Sequence, residues 1–469
     1  MKDLRTKLME KLKPCGQEHV LGFWDRLTDL EHMRLARQIE SFDLAAIDEL
    51  VKTRVLPGAP PAAFEFGPAD VTPLPKTDAG RRAFEQARLV GELLLSQGRV
   101  AAVVVAGGQG TRLGFDGPKG TFPIGLLSGK TLFQLQVERL LALGRRHKTR
   151  IPFLIMTSDT NDAATREFFA RNGNFGLTAE DVIIFCQGMM PAVDFAGKLI
   201  LDSPDHIFAS PNGHGGVWAG LAQSGALDAM KRRGVTDLFH YQVDNPLVDI
   251  ADPAFLGFHH GARSQMSSKV TPKRDAAERV GVTVRRADGR TAVVEYTALT
   301  KEQAERRNPD GSLVFSAGNL CIYWYTVEFA EFAGTRARLS WNLARKKVPF
   351  VDELGRRVEP EKPNAIKFET FVFDAMPAAE RTFVMECDRK AEFAPVKNAS
   401  GEDSVESCRA ALVEKASRML EAAGVKVPRD AAGRAKHPVE ISPLYALDAE
   451  ELKRKLPRDF SLKGPMRLE

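Results

Sequence analysis

Apolar residues recur at helical spacing through "CGQEHVLGFWDRLTDLEHMRLARQIESFDLAAIDELV" and again through "RAFEQARLVGELLLSQG", so residues 1 to about 95 are expected to be helical. Between these stretches the proline density of "LPGAPPAAFEFGPADVTPLPKT" bars a helix, and the connector is expected to run extended over the surface. The pattern then changes. "RVAAVVVAG" is a short β-branched run suited to a strand buried on both faces, and "TLFQLQVERLLALGRRHK" follows as an amphipathic helix. "IPFLIMTSD", the helical "DAATREFFARN" and "DVIIFCQ" continue the alternation, and "DLFHYQVDN" reads as a further central strand. Strands alternating with helices in this way predict an α/β fold around a doubly wound, mostly parallel sheet. "VGVTVRRADGRTAVVEYTAL" carries two alternating runs across Asp288-Gly289, a hairpin that makes the sheet mixed. Beyond about residue 400 the chain turns helical and basic again, and a small C-terminal domain is expected there. No internal repeat is present.

A chain of 469 residues with 43% hydrophobic and 27% charged content is long enough for two or three domains, each with its own core. The expected division is a helical N-terminal region over 1–95, a central domain over 96–395 and a small C-terminal domain over 396–469. The balance of 66 basic against 61 acidic residues, a net +5, predicts no general affinity for nucleic acid or membrane. Any phosphate chemistry must then come from local placement of charge. "MKDLRTKLMEKLKPCG" has no apolar run of signal-peptide length, and no stretch approaches the roughly 20 apolar residues of a membrane span, which makes the cytoplasm the expected compartment. The five cysteines, Cys15, Cys186, Cys321, Cys387 and Cys408, are scattered without a CxxC pair and read as reduced and packed.

Chemistry concentrates after the first buried run, in "VVVAGGQGTRLGFDGPKG". A loop at this place in a doubly wound sheet lies at the carboxyl ends of the strands, where ligands bind, and its glycines let backbone N–H groups approach phosphate oxygens. Two familiar designs fail on spacing. The dinucleotide fingerprint needs a third glycine where Leu113 stands, and a P-loop built on "LLSGKT" needs a glycine where Ile124 stands. What remains is a glycine-rich loop with two cations, Arg112 and Lys119. A bidentate guanidinium and a point-charge ammonium together suit a polyphosphate.

"AGGQGTRLGFDGPKG" resembles the signature loop of sugar nucleotidyltransferases, in the longer form typical of UDP-sugar pyrophosphorylases. "GKTLFQLQVERL", "FCQGMMPAVDFAGKLIL", "SPNGHGGVWAGL", "VDNPLVDIADPAFLGF", "SAGNLC", "KKVPFVDELG", "KPNAIKFETFVFD", "EFAPVKNA" and "EISPL" stand in the order expected of the UDP-N-acetylhexosamine pyrophosphorylases, so the resemblance covers nearly the whole chain. It implies a Rossmann-like nucleotidyltransferase fold of GT-A-like type, small-molecule substrates and a magnesium cofactor. The implied reaction converts UTP and N-acetylglucosamine 1-phosphate to UDP-N-acetylglucosamine and pyrophosphate. Residue by residue, it implies that Arg112, Lys119 and Lys397 are catalytic and that Asp244 is a magnesium ligand. Gly107, Gly108, Gly110, Gln187, Gly213 and His214 match nucleotide-binding positions, and Gly281, Glu295, Asn319, Phe371 and Phe373 match sugar-contacting ones. Phe371 and Phe373 alternate onto one face of an expected strand and resemble the pair that receives the N-acetyl methyl. One position departs from the pattern: the family usually reads GNGG where this chain reads "GHGG", putting the His214 imidazole where an amide normally stands.

Taken singly, several of these residues have plainer readings. Asp244 also suits a helix cap, Glu295 a solvated strand position, Asn319 a turn, and Phe371 and Phe373 an ordinary core. Alternative functions are the same reaction on glucose 1-phosphate or N-acetylgalactosamine 1-phosphate, or noncatalytic nucleotide-sugar binding. The oligomeric state is not encoded in any of these patterns.

Overall fold

The apolar run after residue 99 becomes an interior strand of the largest sheet. A computed structural model of the chain describes residues 2–58 and 64–469, and its largest sheet has ten strands. In chain order they are β1 (Phe66–Pro68), β2 (Val100–Val105), β3 (Phe153–Thr157), β4 (Val182–Cys186), β5 (Asp237–Gln242), β6 (Met266–Pro272), β7 (Val282–Arg286), β8 (Thr291–Val294), β9 (Ala317–Thr326) and β10 (Thr382–Glu386). Strands β5, β2, β3 and β4 run parallel side by side. The rest of the sheet is joined on through β9, which runs antiparallel to β5 and carries β6 and β7. Val100 to Val104 are buried, as expected for a strand covered on both faces.

The order of the parallel strands fixes where a ligand can sit. From β2 the chain passes through helix α2 (Leu132–His147) to β3 and on to β4, then returns to place β5 on the other side of β2. The direction of winding reverses at β2. Ligands of doubly wound sheets bind outside the carboxyl ends of the strands at such a reversal, and the segments leaving those ends are the glycine-rich loop after β2 and Asp244 after β5. Helix α1 (Asp78–Ser96) and helix α4 (Pro253–Gly261) cross at two glycines. A Cβ on Gly91 would stand 1.9 Å from the Pro253 carbonyl oxygen, and one on Gly257 would stand 1.8 Å from that of Ala87. Only glycine permits that approach.

The hairpin expected at Asp288-Gly289 is present, with Val282 opposite Val294 and Gly289 at φ +81°. The proline-rich connector runs extended with none of its described residues buried, as expected, and it also pairs with the edge of the sheet. Its residues 59–63 lie outside the described residues, but β1 within it pairs with β7. The Thr72 N–H donates to the Val384 carbonyl at 2.9 Å, and Glu386 N–H donates back to Thr72 at 2.9 Å. Sheet edges present unpaired backbone groups, and a proline-containing segment that forms no helix can satisfy them.

The described residues cluster into two compact units. One comprises 1–64, 188–216 and 339–371; the other comprises 65–187, 217–338 and 372–469 and contains the ten-stranded sheet. The expected N-terminal region is shared between them, its early helices in the first unit and α1 in the second. In the first unit, helix Asp29–Ser41 starts from a capping box of Thr28 and Glu31. Its Leu35 and Ile39 share a core with Val193, Ile207 and Phe368, contributed by much later strands. Within the second unit, helix α5 (Val405–Ala422) supplies Ala416 and Leu420 to a small separate cluster with Val439, Leu452 and Leu462.

Lys415 on α5 lies beneath the segment that follows β5, and its Nζ donates to the Leu247 carbonyl at 2.6 Å. Burial, with the positive charges of Arg139 and Lys269 outweighing the help of Glu392, pushes its ammonium down to about 7. The unfolded chain then holds this proton over a pH range in which the folded chain has released it, so this residue's contribution to stability rises as pH climbs from about 7 toward the ordinary lysine value of about 10. The urea midpoint of the wild-type protein should therefore rise between pH 7 and 9 relative to that of Lys415→Met. Parallel pH curves for the two proteins would contradict this.

Candidate active site

The loop after β2 is held from one side. Asn161 Nδ2 donates to the carbonyls of Ala106 at 2.8 Å and Gly108 at 3.2 Å, Ser158 Oγ donates to that of Gly107 at 2.7 Å, and Lys119 N–H donates to that of Gly108 at 3.0 Å. In a planar trans peptide the N–H points opposite to the preceding carbonyl. Fixing these three carbonyls therefore turns the N–H groups of Gly107, Gly108 and Gln109 the other way, as a backbone anion cradle requires. A Cβ on Gly108 would meet nothing within 4 Å, so that face is open. Gly110 closes the far side of the loop: its N–H donates to Gly117 at 2.9 Å, and a Cβ there would strike the Phe115 ring at 2.7 Å.

Arg112, on the short turn Thr111–Leu113, is exposed. Lys119 and Asp244 come together from positions 125 residues apart, with Nζ 3.4 Å from Oδ2 and both side chains largely buried. The Asp244 carbonyl accepts the Val396 N–H at 2.8 Å, which brings Lys397, the next residue, to the same strand end. Lys397 Nζ lies 3.8 Å from Asp403 Oδ2. Burial holds the Asp403 carboxyl above its usual range; Lys397 opposes this and Asp244 adds to it. Among the described residues no group of three or more His, Cys, Asp or Glu side chains is placed to hold a metal ion. A cation at Asp244 would thus need oxygen ligands from substrate phosphates and water, a mode usual for magnesium.

The sugar-matching residues on the sheet also converge. Asn319 N–H donates to the Gly281 carbonyl at 2.8 Å, and a Cβ on Gly281 would stand 3.2 Å from Glu295 Oε1. Burial raises the Glu295 carboxyl. The Asn319 amide is engaged inward, with Tyr323 hydroxyl 2.7 Å from Nδ2 and 2.9 Å from Oδ1. Gln187 is buried, its N–H donating to Thr157 at 2.9 Å; a Cβ on Gly107 would stand 3.1 Å from its Nε2. In the other compact unit, Gly213 has φ +85°, and a Cβ there would meet the Thr370 carbonyl oxygen at 2.3 Å. His214 stacks on Phe371 with ring centroids 5.0 Å apart.

One local expectation is corrected. Phe371 and Phe373 do not alternate on a strand: strand Ala365–Glu369 ends before them, and Val372–Ala378 is a 3-10 helical turn. Thr370 leaves the ladder because its N–H donates to Asn212 and its carbonyl accepts Gly215 N–H, each at 2.8 Å. Phe371 is half-buried and Phe373 is buried. The sequence reading of Cys321 as a reduced, packed residue gave it no place in the site. Cys321 has φ +55° where the β6–β9 register shifts, and its thiol is pushed up to about 12, by burial first, with Lys397 opposing and Glu295 and Asp244 contributing. It therefore lies within electrostatic reach of three of the matched residues. The left-handed backbone of a non-glycine residue is the signal, and it exists only in three dimensions.

Residues 77–430 match the model of the UTP–glucose-1-phosphate uridylyltransferase family. The chain belongs to this family. The UDP-N-acetylhexosamine pyrophosphorylase-like protein 1 of Xenopus tropicalis is 37% identical over 94% of this chain and 92% of its own length. The UDP-N-acetylglucosamine diphosphorylase 1 of Arabidopsis thaliana is 36% identical over 96% of this chain and 90% of its own. Among solved structures, the uridine diphosphate N-acetylglucosamine pyrophosphorylase of Trypanosoma brucei, in complex with an inhibitor, superposes with a TM-score of 0.84 at 27% identity, covering 99% of this chain and 98% of that one. The matched segment of this uridylyltransferase-family chain includes every residue that the motif resemblance matches to phosphate, nucleotide, sugar or metal positions. Among its described residues, no helix is long and apolar enough to cross a membrane.

Proposed function

We propose that the protein is a uridylyltransferase that forms UDP-N-acetylglucosamine and pyrophosphate from UTP and N-acetylglucosamine 1-phosphate. The observation that carries this reading is the convergence of Lys119, Asp244 and the Lys397 arm at the strand ends beside an open glycine loop. In the reaction a sugar-phosphate oxygen attacks the α-phosphorus of UTP in line, the bond to the bridging oxygen breaks, and pyrophosphate leaves with that electron pair. The backbone of Gly107 to Gly110 wraps the nucleotide. Arg112 and Lys119 hold the departing pyrophosphate, and Lys397 neutralises charge at the α-phosphate. Gln187, Gly213 and His214 read the nucleoside, and Gly281, Glu295 and Asn319 the sugar. Asp244 fits a single-carboxylate magnesium site completed by phosphate oxygens, where the bound ion would supply further charge neutralisation. Residues 396–469, which close an apolar cluster of their own, are proposed to act as a C-terminal domain that presents Lys397. Incubation with UTP, magnesium and N-acetylglucosamine 1-phosphate should yield UDP-N-acetylglucosamine on anion-exchange chromatography, and absence of that product would overturn the reading.

The choice of an N-acetylated sugar rests on Phe371 and Phe373. Phe371 is the cleaner probe because it is only half-buried, so its truncation disturbs the core less. Phe371→Ala is expected to raise KM more for N-acetylglucosamine 1-phosphate than for glucose 1-phosphate. Equal changes for the two sugars would leave the ring in a packing role.

A further inference from the structure

Lys269 on β6 is fully buried, yet it is not among the residues the uridylyltransferase motifs account for. Its Nζ lies 2.6 Å from Asp252 Oδ2 and 2.7 Å from both carboxylate oxygens of Glu392, and 5.5 Å from the centre of the Phe255 ring. Burial alone would lower this ammonium, but Asp252 and Glu392 outweigh it and hold the charge above the ordinary lysine value. A buried ion pair of this kind adds little net stability compared with an apolar replacement, because both partners lose their hydration. Its presence calls for another explanation, and its connections supply one.

Both carboxylates belong to segments that carry proposed site residues. Asp252 closes the stretch that begins at Asp244 and caps helix α4, its Oδ1 accepting Ala254 N–H at 2.9 Å. Glu392 stands five residues before Lys397 in the sequence. Its backbone carbonyl accepts Asn245 Nδ2 at 2.7 Å, and Asn245 Oδ1 accepts Ala394 N–H at 3.2 Å. Two residues further on, Val396 N–H donates to Asp244 at 2.8 Å. One buried ammonium thus ties the arm that ends in Lys397 to the loop that carries Asp244.

We infer that Lys269 is a positioning residue for nucleotidyl transfer: by gripping Glu392 and Asp252 together, it holds the Lys397 arm in register with Asp244. The inference rests on the proposed role of Lys397. A small displacement of that arm moves the amine away from the developing charge, and misplacements of about 1 Å can cost around a hundredfold in rate. The effect acts on the chemical step rather than on substrate capture.

The test is a double-mutant cycle between Glu392→Gln and Lys397→Ala, with kcat and KM measured for both substrates and folding followed by thermal melts. Glu392→Gln keeps the side-chain shape and the backbone contact to Asn245 but removes the charge that Lys269 grips. It is expected to lower kcat by about tenfold or more with KM little changed, and to have less than about a twofold further effect once Lys397 is alanine. Asp181→Asn serves as a control, because Asp181 is also buried and paired, with Arg150 at 2.6 Å and Arg233 at 2.9 Å, but at a place remote in sequence from both site segments. It should cost stability and leave kcat unchanged. Losses from Glu392→Gln and Lys397→Ala that simply multiply, or a kcat loss equal to the control's, overturn the inference while leaving the catalytic reading intact. A normal kcat for Lys397→Ala removes that reading and the inference with it. If Glu392→Gln does not fold, Glu392→Asp, which keeps the charge at a shorter reach, enters the same cycle with the same criteria.

Discussion

Lys397→Ala is expected to lower kcat by about 10² or more, the scale of removing one preorganised electrostatic stabiliser, while leaving the thermal midpoint nearly unchanged. The rate effect follows from geometry. Val396 N–H on the Asp244 carbonyl fixes the backbone beside the metal-matching carboxylate, so the amine is carried by a hydrogen-bonded arm rather than by a free loop. The small stability effect follows from exposure. The Lys397 side chain is 43% exposed, and its contact with Asp403 is long at 3.8 Å, so little native-state interaction is lost. A kcat within twofold of wild type would remove Lys397 from the chemistry.

Asp244→Asn should have an effect of similar size, on the order of 10² in kcat/KM, accompanied by a higher magnesium concentration at half-maximal rate. The amide preserves the side-chain shape and the backbone bond to Val396 but cannot offer the anionic oxygen that a hard cation prefers. It also leaves the largely buried Lys119 without its carboxylate partner at 3.4 Å, so binding of the pyrophosphate group is expected to change in the same variant. Titration of initial rate against magnesium separates the two contributions. An unchanged magnesium curve with unchanged kcat would leave Asp244 as a structural partner of Lys119.

Much of the frame around this candidate site is legible in the sequence. The apolar runs of β2, β3, β4 and β5 are short and separated by helical stretches, which marks a doubly wound sheet and puts the glycine loop at the ligand-binding end of β2, whereas the reversal at β2 is set by strand pairing. The Asp288-Gly289 hairpin was equally local, since a turn dipeptide sets its own backbone. Features made by distant partners were not legible. Lys269 and Glu392 stand 123 residues apart, and each reads singly as an ordinary solvated charge. The alternation of Phe371 and Phe373 suggested a strand because nothing local shows that Asn212 and Gly215 capture the backbone of Thr370. The proline-rich connector likewise carried no sign that β7 and β10 would leave edges for it to cover. Cys321 was hidden for a related reason: its left-handed backbone arises from a register shift between two strands.

The central claim is that these groups transfer a uridylyl group to an N-acetylated hexosamine phosphate. The most direct measurement is pyrophosphate release from UTP and magnesium with a panel of N-acetylglucosamine, N-acetylgalactosamine and glucose 1-phosphates. The account predicts release with the highest kcat/KM for N-acetylglucosamine 1-phosphate, and no release with any member of the panel would contradict it.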